Sequence, residues 1–206
     1  LAKRFAALKT QEVDFTGFAP LTLGVLSNST TQAIAPAFIA TGLRFGLQIN
    51  VVEAQFNQVA QEAFSTESSF SGQAFNAVLI ALDYRALPIS PCPGDAAKAQ
   101  QTVRECVSYI QAIISAVRQK TGAQIILQNL VPTGQDLFGS FERRLPGSLN
   151  WLVTAVNAAL DTLPEANTYF LDVAGLAAKV GYANWHDPTL WNLAKLAFAQ
   201  KYLPVY

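Results

Sequence analysis

The chain has 206 residues, of which 51% are hydrophobic and 14% are charged, and its formal net charge is zero. This composition excludes a disordered chain, and the zero net charge predicts no nucleic-acid partner and no anionic membrane partner. No apolar run reaches the ~18 residues that a membrane-spanning helix needs. Two cysteines and no visible signal peptide predict a reduced, cytoplasmic protein, and the start at Leu1 without any methionine predicts an excised or truncated piece.

The amino-terminal half opens with a predicted helix at 1–9 and a connector that reaches residue 20. After it, apolar runs that suit buried strands alternate with helical patterns. The predicted elements are strands at 21–26, 47–53 and 75–82 and helices at 32–45 and 55–64. Pro36 is expected in the first turn of the earlier helix, where proline is best tolerated, and Gly46 is expected to end that helix.

The second half continues the alternation. Asp95 is expected to cap a long helix that runs to about Lys120 and ends at Thr121-Gly122. The remaining predicted elements are strands at 123–130 and 168–171, helices at 149–160, 173–180 and 188–201, and a long loop at 131–146.

Alternating strands and helices with strands that are apolar on both sides indicate a parallel sheet covered on both faces. We therefore predict a three-layer α/β sandwich with about five parallel strands in a flavodoxin-like layout. No linker or internal repeat divides the chain, so residues 1–206 are expected to form one domain with its core at 21–206.

A polar turn, Ser27-Asn28-Ser29-Thr30-Thr31, follows the first predicted strand and leads to a helix. In an open parallel sheet, ligands bind at this edge, beside unpaired helix amides. A hydroxyl there can act as a nucleophile, and a neighbouring amide can donate to an oxyanion. The alternative is that Ser29, Thr30 and Thr31 only cap the helix.

His186 is the single histidine of the chain, so any serine–histidine mechanism must use it. No Cys/His cluster has metal-binding spacing and no Gly-rich phosphate loop occurs, so neither a metal nor a cofactor is predicted. The alternative for His186 is a loop residue stacked between Trp185 and Trp191 without a catalytic role.

Other polar side chains follow the predicted strands, and parallel strands end at a common edge. We predict one pocket at this edge, lined by Ser29, Asp83, Asn129 and His186. The alternative for Asp83 is a helix or turn cap. Asp187 is adjacent to the histidine, and adjacent side chains on a loop are expected to diverge.

The turn Leu26-Ser27-Asn28-Ser29 resembles the Gly-Asp-Ser nucleophile turn of the SGNH hydrolases. The resemblance implies the same α/β layout, catalytic roles for Ser29 and His186, and substrate-binding roles for nearby polar residues. These candidate substrate-binding residues are Asn28, Asn57, Asp83, Asn129 and Asp187.

Three positions depart from the SGNH pattern. Asp83 stands where the family has an oxyanion-binding asparagine, Ala183 stands where it has the acid, and Asn57 stands where it has a glycine after the second strand. A carboxylate at an oxyanion position repels the developing negative charge. Weak or absent esterase activity is therefore expected.

Six stretches, in the same order, resemble the amino-terminal domain of FkbH-like proteins over about 21–206. They are residues 24–31, 51–58, 75–83, 137–149, 171–177 and 185–195. The resemblance implies an accessory domain followed by a HAD-type domain with an Asp-x-Asp motif, in a protein that loads a glycerate-derived three-carbon unit from a bisphosphoglycerate onto an acyl carrier protein of polyketide-type biosynthesis.

The Asp-x-Asp motif does not occur in this chain, so the phosphoryl-transfer chemistry is not expected in these residues. The implied partners are the acyl carrier protein and the adjacent HAD-type domain. The alternative function is an active serine esterase or acyltransferase that uses Ser29 and His186.

Overall fold

The computed structural model describes residues 16–163 and 166–206, and the helix predicted at 1–9 lies outside the described residues. In the described ranges, five parallel strands form one sheet in the order β2-β1-β3-β4-β5. They are β1 (Ala19–Ser27), β2 (Leu47–Glu53), β3 (Ala77–Ala81), β4 (Gln124–Gln128) and β5 (Thr168–Leu171). The predicted α/β fold with about five parallel strands is confirmed.

Seven α-helices accompany the sheet in the part of the chain that the structure describes. They are α1 (Ala35–Arg44), α2 (Val59–Phe64), α3 (Ala96–Thr121), α4 (Leu149–Leu160), α5 (Val173–Val180), α6 (Tyr182–Trp185) and α7 (Pro188–Ala194). Short 3-10 turns occupy Tyr84–Ala86, Gly139–Arg144 and Gln200–Tyr202. None of the described helices is long and apolar enough to cross a membrane.

Alternate side chains of the central strands enter two cores, because successive residues of a strand point to opposite faces of the sheet. Val78 and Ile80 of β3 pack on one face, in the large core formed with α2, α3 and α4. Leu79 and Ala81 pack on the other face with Phe38 of α1. This two-sided burial is why these strands are apolar without interruption, and it gives the three layers.

The helix ends follow the sequence signals in most places. The Asp95 side chain accepts a hydrogen bond from the Lys98 N–H at the start of α3, and Gly122, with φ of 64°, ends that helix in the left-handed region. Pro36 lies in the first turn of α1. The two expected caps and the expected position of Pro36 are confirmed.

Two helix predictions were wrong in extent, and one short helix was missed. The last helix was predicted at 188–201 but ends at Ala194, because Lys195 adopts a left-handed φ of 53°. The short helix α6 was not predicted. The helix predicted from residue 55 begins only at Val59, since Asn57 is also left-handed, with φ of 57°.

The strand order places β1 beside β3 at the centre of the sheet. The chain leaves β1 through α1 towards β2 on one side, and it leaves β3 through α3 towards β4 on the other side. The connections therefore diverge beyond the carboxyl ends of β1 and β3, and a crevice opens between them. This is the topological switch point at which ligands bind in open α/β sheets.

Gly147 provides a test of the loop that leads to α4. Its φ is 83°, its carbonyl accepts from the Cys92 N–H, and an added Cβ would lie 2.2 Å from the Cys92 carbonyl oxygen. We expect Gly147→Ala to lower the free energy of unfolding by more than Gly122→Ala, which loses only the ~1–2 kcal/mol of a left-handed non-glycine residue because open space surrounds Gly122. Urea denaturation of both variants measures the difference. Equal losses would contradict the close approach.

Candidate functional site

Asn28 and Asp83 join the strand ends at the switch point. The Asn28 side-chain N–H donates to Asp83 Oδ1 at 2.9 Å, and the Asp83 backbone N–H donates to Asn28 Oδ1 at 3.0 Å. Asp83 Oδ1 also accepts from the Arg85 backbone N–H at 2.8 Å and so caps the 3-10 turn Tyr84–Ala86. The pair fixes the position of the β1 turn relative to the β3 turn.

Arg85 is held by this turn on the outside of the crevice. Its Nη1 forms an ion pair with Asp83 Oδ2 at 2.7 Å. Its guanidinium carbon lies 3.9 Å from the centroid of the Trp191 ring and 4.6 Å from that of Tyr84. A planar guanidinium stacks well on aromatic rings. Asp83 therefore orients an arginine here.

Ser29 is buried, and it forms two hydrogen bonds with Ser27 within the β1 turn. Its Oγ lies 2.8 Å from Ser27 Oγ, and its N–H donates to Ser27 Oγ at 3.0 Å. Helix α1 begins without any side-chain cap. The interpretation of Ser29, Thr30 and Thr31 as helix caps is therefore wrong.

Thr30 and Thr31 connect the β1 turn to other elements. The Thr30 N–H donates to the Lys195 carbonyl at 2.9 Å, and Thr30 Oγ1 donates to the Ala194 carbonyl at 2.7 Å. Thr31 Oγ1 donates to Glu53 at the end of β2. The carboxyl end of α7 is thus bonded to the turn that carries Ser29.

His186 follows α6, and its Nε2 lies 2.9 Å from the Pro132 carbonyl oxygen. A carbonyl oxygen only accepts, so Nε2 carries the proton of this bond, and Nδ1 is the acceptor of the neutral ring. Trp185 is buried and stacks on Phe198, with ring centroids 4.7 Å apart. Trp185 and Trp191 therefore stack on partners other than His186: Trp185 packs on Phe198 in the core, and Trp191 lies against Arg85.

Two adjoining spaces lie at the crevice. The inner cavity has a volume of about 30 Å³, room for roughly two water molecules, and Ser29, Asp83 and His186 are among its lining residues. The outer groove has a volume of about 390 Å³. Tyr84, His186 and Ala197 line both spaces and so form the boundary between them. Among the hydrogen bonds of the described residues, none joins Ser29 to His186.

The other candidate residues have different positions. Asn129 lines neither space: its Nδ2 donates to Asp172 Oδ1 at 2.7 Å and its Oδ1 accepts from the Ala174 N–H at 2.8 Å. Asn57 is exposed in the turn after β2. Asp187 lines the outer groove, and its Oδ1 accepts from the Leu190 N–H at 3.0 Å as the cap of α7. The expected pocket thus includes Ser29, Asp83 and His186 and does not include Asn129.

Sequence reasoning missed Gln128 and Tyr206, which both line the inner cavity. The Tyr206 hydroxyl donates to Gln128 Oε1 at 2.7 Å, and Gln128 Nε2 donates to the Leu82 carbonyl at 2.9 Å. Burial raises the pKa of the Tyr206 phenol, so the hydroxyl stays protonated and remains a donor. Gln128 was detectable, because it is the polar residue at the end of an apolar run. Tyr206 carries no comparable signal.

The fold and this crevice define a parallel α/β domain with a polar site at its switch point. The family model described as FkbH, N-terminal domain, matches residues 22–206, and the chain belongs to this family. No curated protein matches the chain. Within the described residues, no group of three or more His, Cys, Asp or Glu side chains is arranged to hold a metal ion.

Among solved structures, the chain is similar to the crystal structure of the N-terminal part of the protein BF1531 from Bacteroides fragilis, which contains a phosphatase domain and is complexed with Mg. The TM-score is 0.78 at 17% identity, over 99% of this chain and 53% of that one. The chain thus spans about half of that structure, and the similarity shows the fold. A second structure, the protein YXIM from Bacillus subtilis, gives a TM-score of 0.44 at 13% identity, over 91% of this chain and 53% of that one.

Asn129 is expected to have a structural role that depends on pH. Hydrogen bonds from the Asn129 side chain and from the Gly175 N–H hold the pKa of Asp172 below its usual value. A lowered folded-state pKa stabilises the fold above the unfolded-state pKa, and this stabilisation is lost as the pH falls through the folded-state pKa. Asn129→Ala should therefore lower the free energy of unfolding by about 1 kcal/mol at neutral pH and by less as the pH falls below about 4.

Denaturation curves of the unaltered chain and of Asn129→Ala, recorded from neutral pH to below about 4, measure this difference in the free energy of unfolding. Asn184→Ala is the matched control, because the Asn184 amide donates to the Val180 carbonyl, a group that does not titrate. A loss for Asn129→Ala that stays constant with pH, as in the control, would contradict the role of Asp172.

Proposed function

We propose that this chain is an SGNH-like accessory domain of an FkbH-like protein, with its core at 21–206. The domain helps the protein to load a glycerate-derived three-carbon unit onto an acyl carrier protein in polyketide-type biosynthesis, in the cytoplasm. It binds and positions the carrier, and it does not itself break an ester bond. Membership of the FkbH N-terminal family supports the accessory assignment.

One observation carries the non-hydrolytic part of the proposal: the serine and the histidine have partners other than each other. Ser29 Oγ is bonded to Ser27 Oγ, and His186 Nε2 is bonded to the Pro132 carbonyl. A serine nucleophile needs a base within hydrogen-bond reach and a group that orients the base. Asp187, the nearest acid in sequence, caps α7.

The electrostatics of the crevice support the same conclusion. The Asp83 carboxylate lines the inner cavity, where an oxyanion would need a donor. The inner cavity is also too small for an acyl group, since its volume is about 30 Å³. The outer groove, at about 390 Å³, falls in the usual range for small-molecule sites, and the Trp191 and Tyr84 rings line it. The groove is therefore the proposed site for the prosthetic arm of the carrier.

The chemistry of loading is proposed to belong to an adjacent HAD-type domain. The structure of BF1531, which contains a phosphatase domain beside a region of this fold, supports that arrangement. In this proposal the present chain needs no metal and no cofactor of its own.

A second candidate function is a serine esterase or acyltransferase. Two observations favour it: Ser29 and His186 line the same inner cavity, and the bond from His186 Nε2 to Pro132 leaves Nδ1 as the acceptor of the neutral ring. A rotation of either side chain that brings Nδ1 to the Ser29 hydroxyl would form a nucleophile–base pair.

Hydrolysis of short acyl esters and of acyl-carrier thioesters separates the two functions. We expect no turnover above the uncatalysed rate for the unaltered chain. We also expect no turnover for Asp83→Asn. This substitution places a side-chain amide at the position where the SGNH pattern has an oxyanion donor, and one such donor contributes about 100- to 1000-fold in rate. Turnover that Asp83→Asn increases, and that Ser29→Ala and His186→Ala each abolish, would establish the hydrolase and overturn the accessory function.

Carrier binding tests the accessory function directly. We expect the carrier protein with its prosthetic arm to bind more tightly than the carrier without it. We expect Trp191→Ala to weaken that binding about tenfold, because an aromatic wall of the groove is lost. Tyr169→Ala is the control, since Tyr169 is an exposed aromatic residue that lines neither space. Equal binding of both carrier forms would contradict a role for the groove.

A further inference from the structure

A cluster of large apolar side chains lies exposed beside the outer groove. The exposed fractions are 79% for Leu137, 43% for Phe138 and 60% for Phe141. Single exposed apolar residues are common, but clusters of this kind mark interaction surfaces in soluble proteins. Leu137 also lines the outer groove, so the cluster reaches the groove wall.

The 3-10 turn Gly139–Arg144 places two of these side chains, Phe138 and Phe141, on the same side. A 3-10 helix has three residues per turn, so residues three apart lie on the same side. Phe138, Phe141 and Arg144 have this spacing, and the Phe141 N–H donates to the Phe138 carbonyl at 3.1 Å. Arg143 and Arg144 are both exposed. We refer to residues 137–144 as the docking ridge.

Glu142 fixes the docking ridge from the inside. Its side chain is buried, with Oε2 accepting from the Phe138 N–H and Oε1 from the Asn150 N–H, both at 3.2 Å. The Ser148 hydroxyl donates to the Glu142 carbonyl at 2.9 Å. Glu142 is the one acidic residue in 137–144, and its buried carboxylate accepts from two backbone N–H groups, although the residue also lines the outer groove. The exposed large side chains of the ridge are therefore apolar or positively charged, and hydrogen bonds with the Glu142 and Ser148 side chains hold its backbone.

We propose that the docking ridge binds an acidic, partly apolar face of the acyl carrier protein, so that the prosthetic arm enters the outer groove beside it. The inference rests on the proposed function for the identity of the partner. Aromatic residues and arginine are the side chains that contribute most to protein interfaces. Two exposed arginines complement an acidic surface and speed the encounter with it. A ridge whose backbone is held by hydrogen bonds also loses less conformational entropy on binding.

The experiment measures binding of the armed carrier protein to ridge variants of this chain. Phe141→Ser should weaken binding about tenfold, and Arg143→Glu combined with Arg144→Glu should weaken it at least tenfold and reverse its salt dependence. The matched controls are Phe45→Ser, because Phe45 is 74% exposed at the end of α1, and Arg104→Glu on the exposed side of α3. Both controls should stay within about twofold of the unaltered chain, because neither residue belongs to the ridge or lines the groove.

If the ridge variants bind normally while Trp191→Ala still weakens binding, the proposed binding role of the docking ridge is wrong and the proposed function stands. If the unaltered chain binds no carrier protein, both are wrong. Concentration-dependent self-association that Phe141→Ser abolishes would assign the ridge to a second copy, and binding of a separately produced HAD-type domain with the same dependence would assign it to that domain. Either result overturns the proposal. Melting temperatures of all variants identify any loss of fold.

Discussion

Two hydrogen bonds between Asn28 and Asp83 hold together the strand ends on which the site depends. Without them, β1 and β3 would end in two independent turns, since their onward connections run in opposite directions. Asp83 continues the connection to Arg85, and Arg85 continues it to Trp191 on α7. Because Thr30 binds the end of α7 as well, the helix is attached to both turns. The ends of β1 and β3 therefore determine where Trp191, which lines the outer groove, is placed.

The same aspartate gives position 83 a chemistry different from that of the asparagine in the SGNH pattern. A side-chain amide offers N–H donors, whereas an ionised carboxylate only accepts. At position 83, the carboxylate accepts from the Asn28 amide, from the Arg85 backbone N–H and from the Arg85 guanidinium, three of its roughly four acceptor sites. The residue stabilises a cation at the rim and has nothing to donate to an anion in the cavity. A carboxylate at position 83 can bind the Arg85 guanidinium, whereas stabilising an oxyanion there would require a donor such as an amide.

The sheet was predictable because its information is local. Strands that are apolar on both sides, such as 77–81, need only their own residues and their punctuation to be recognised, and Asp95 marks the start of α3 in the same way. The site was less predictable because it depends on distant pairs. Thr30 and Ala194 are 164 positions apart, and nothing near Lys195 indicates that α7 ends there. The prediction named Asn129 and missed Gln128, the preceding residue, and successive residues along a strand direction point to opposite faces.

In residues 137–144, different groups hold the backbone and form the exposed surface. Glu142 and Ser148 determine the backbone from below, while the side chains at 138, 141 and 144 face solvent. Substitutions at such exposed positions usually change the free energy of unfolding by less than ~0.5 kcal/mol. Exchanging a few of these outward side chains would therefore change the chemistry of the exposed surface and leave the scaffold beneath it unchanged.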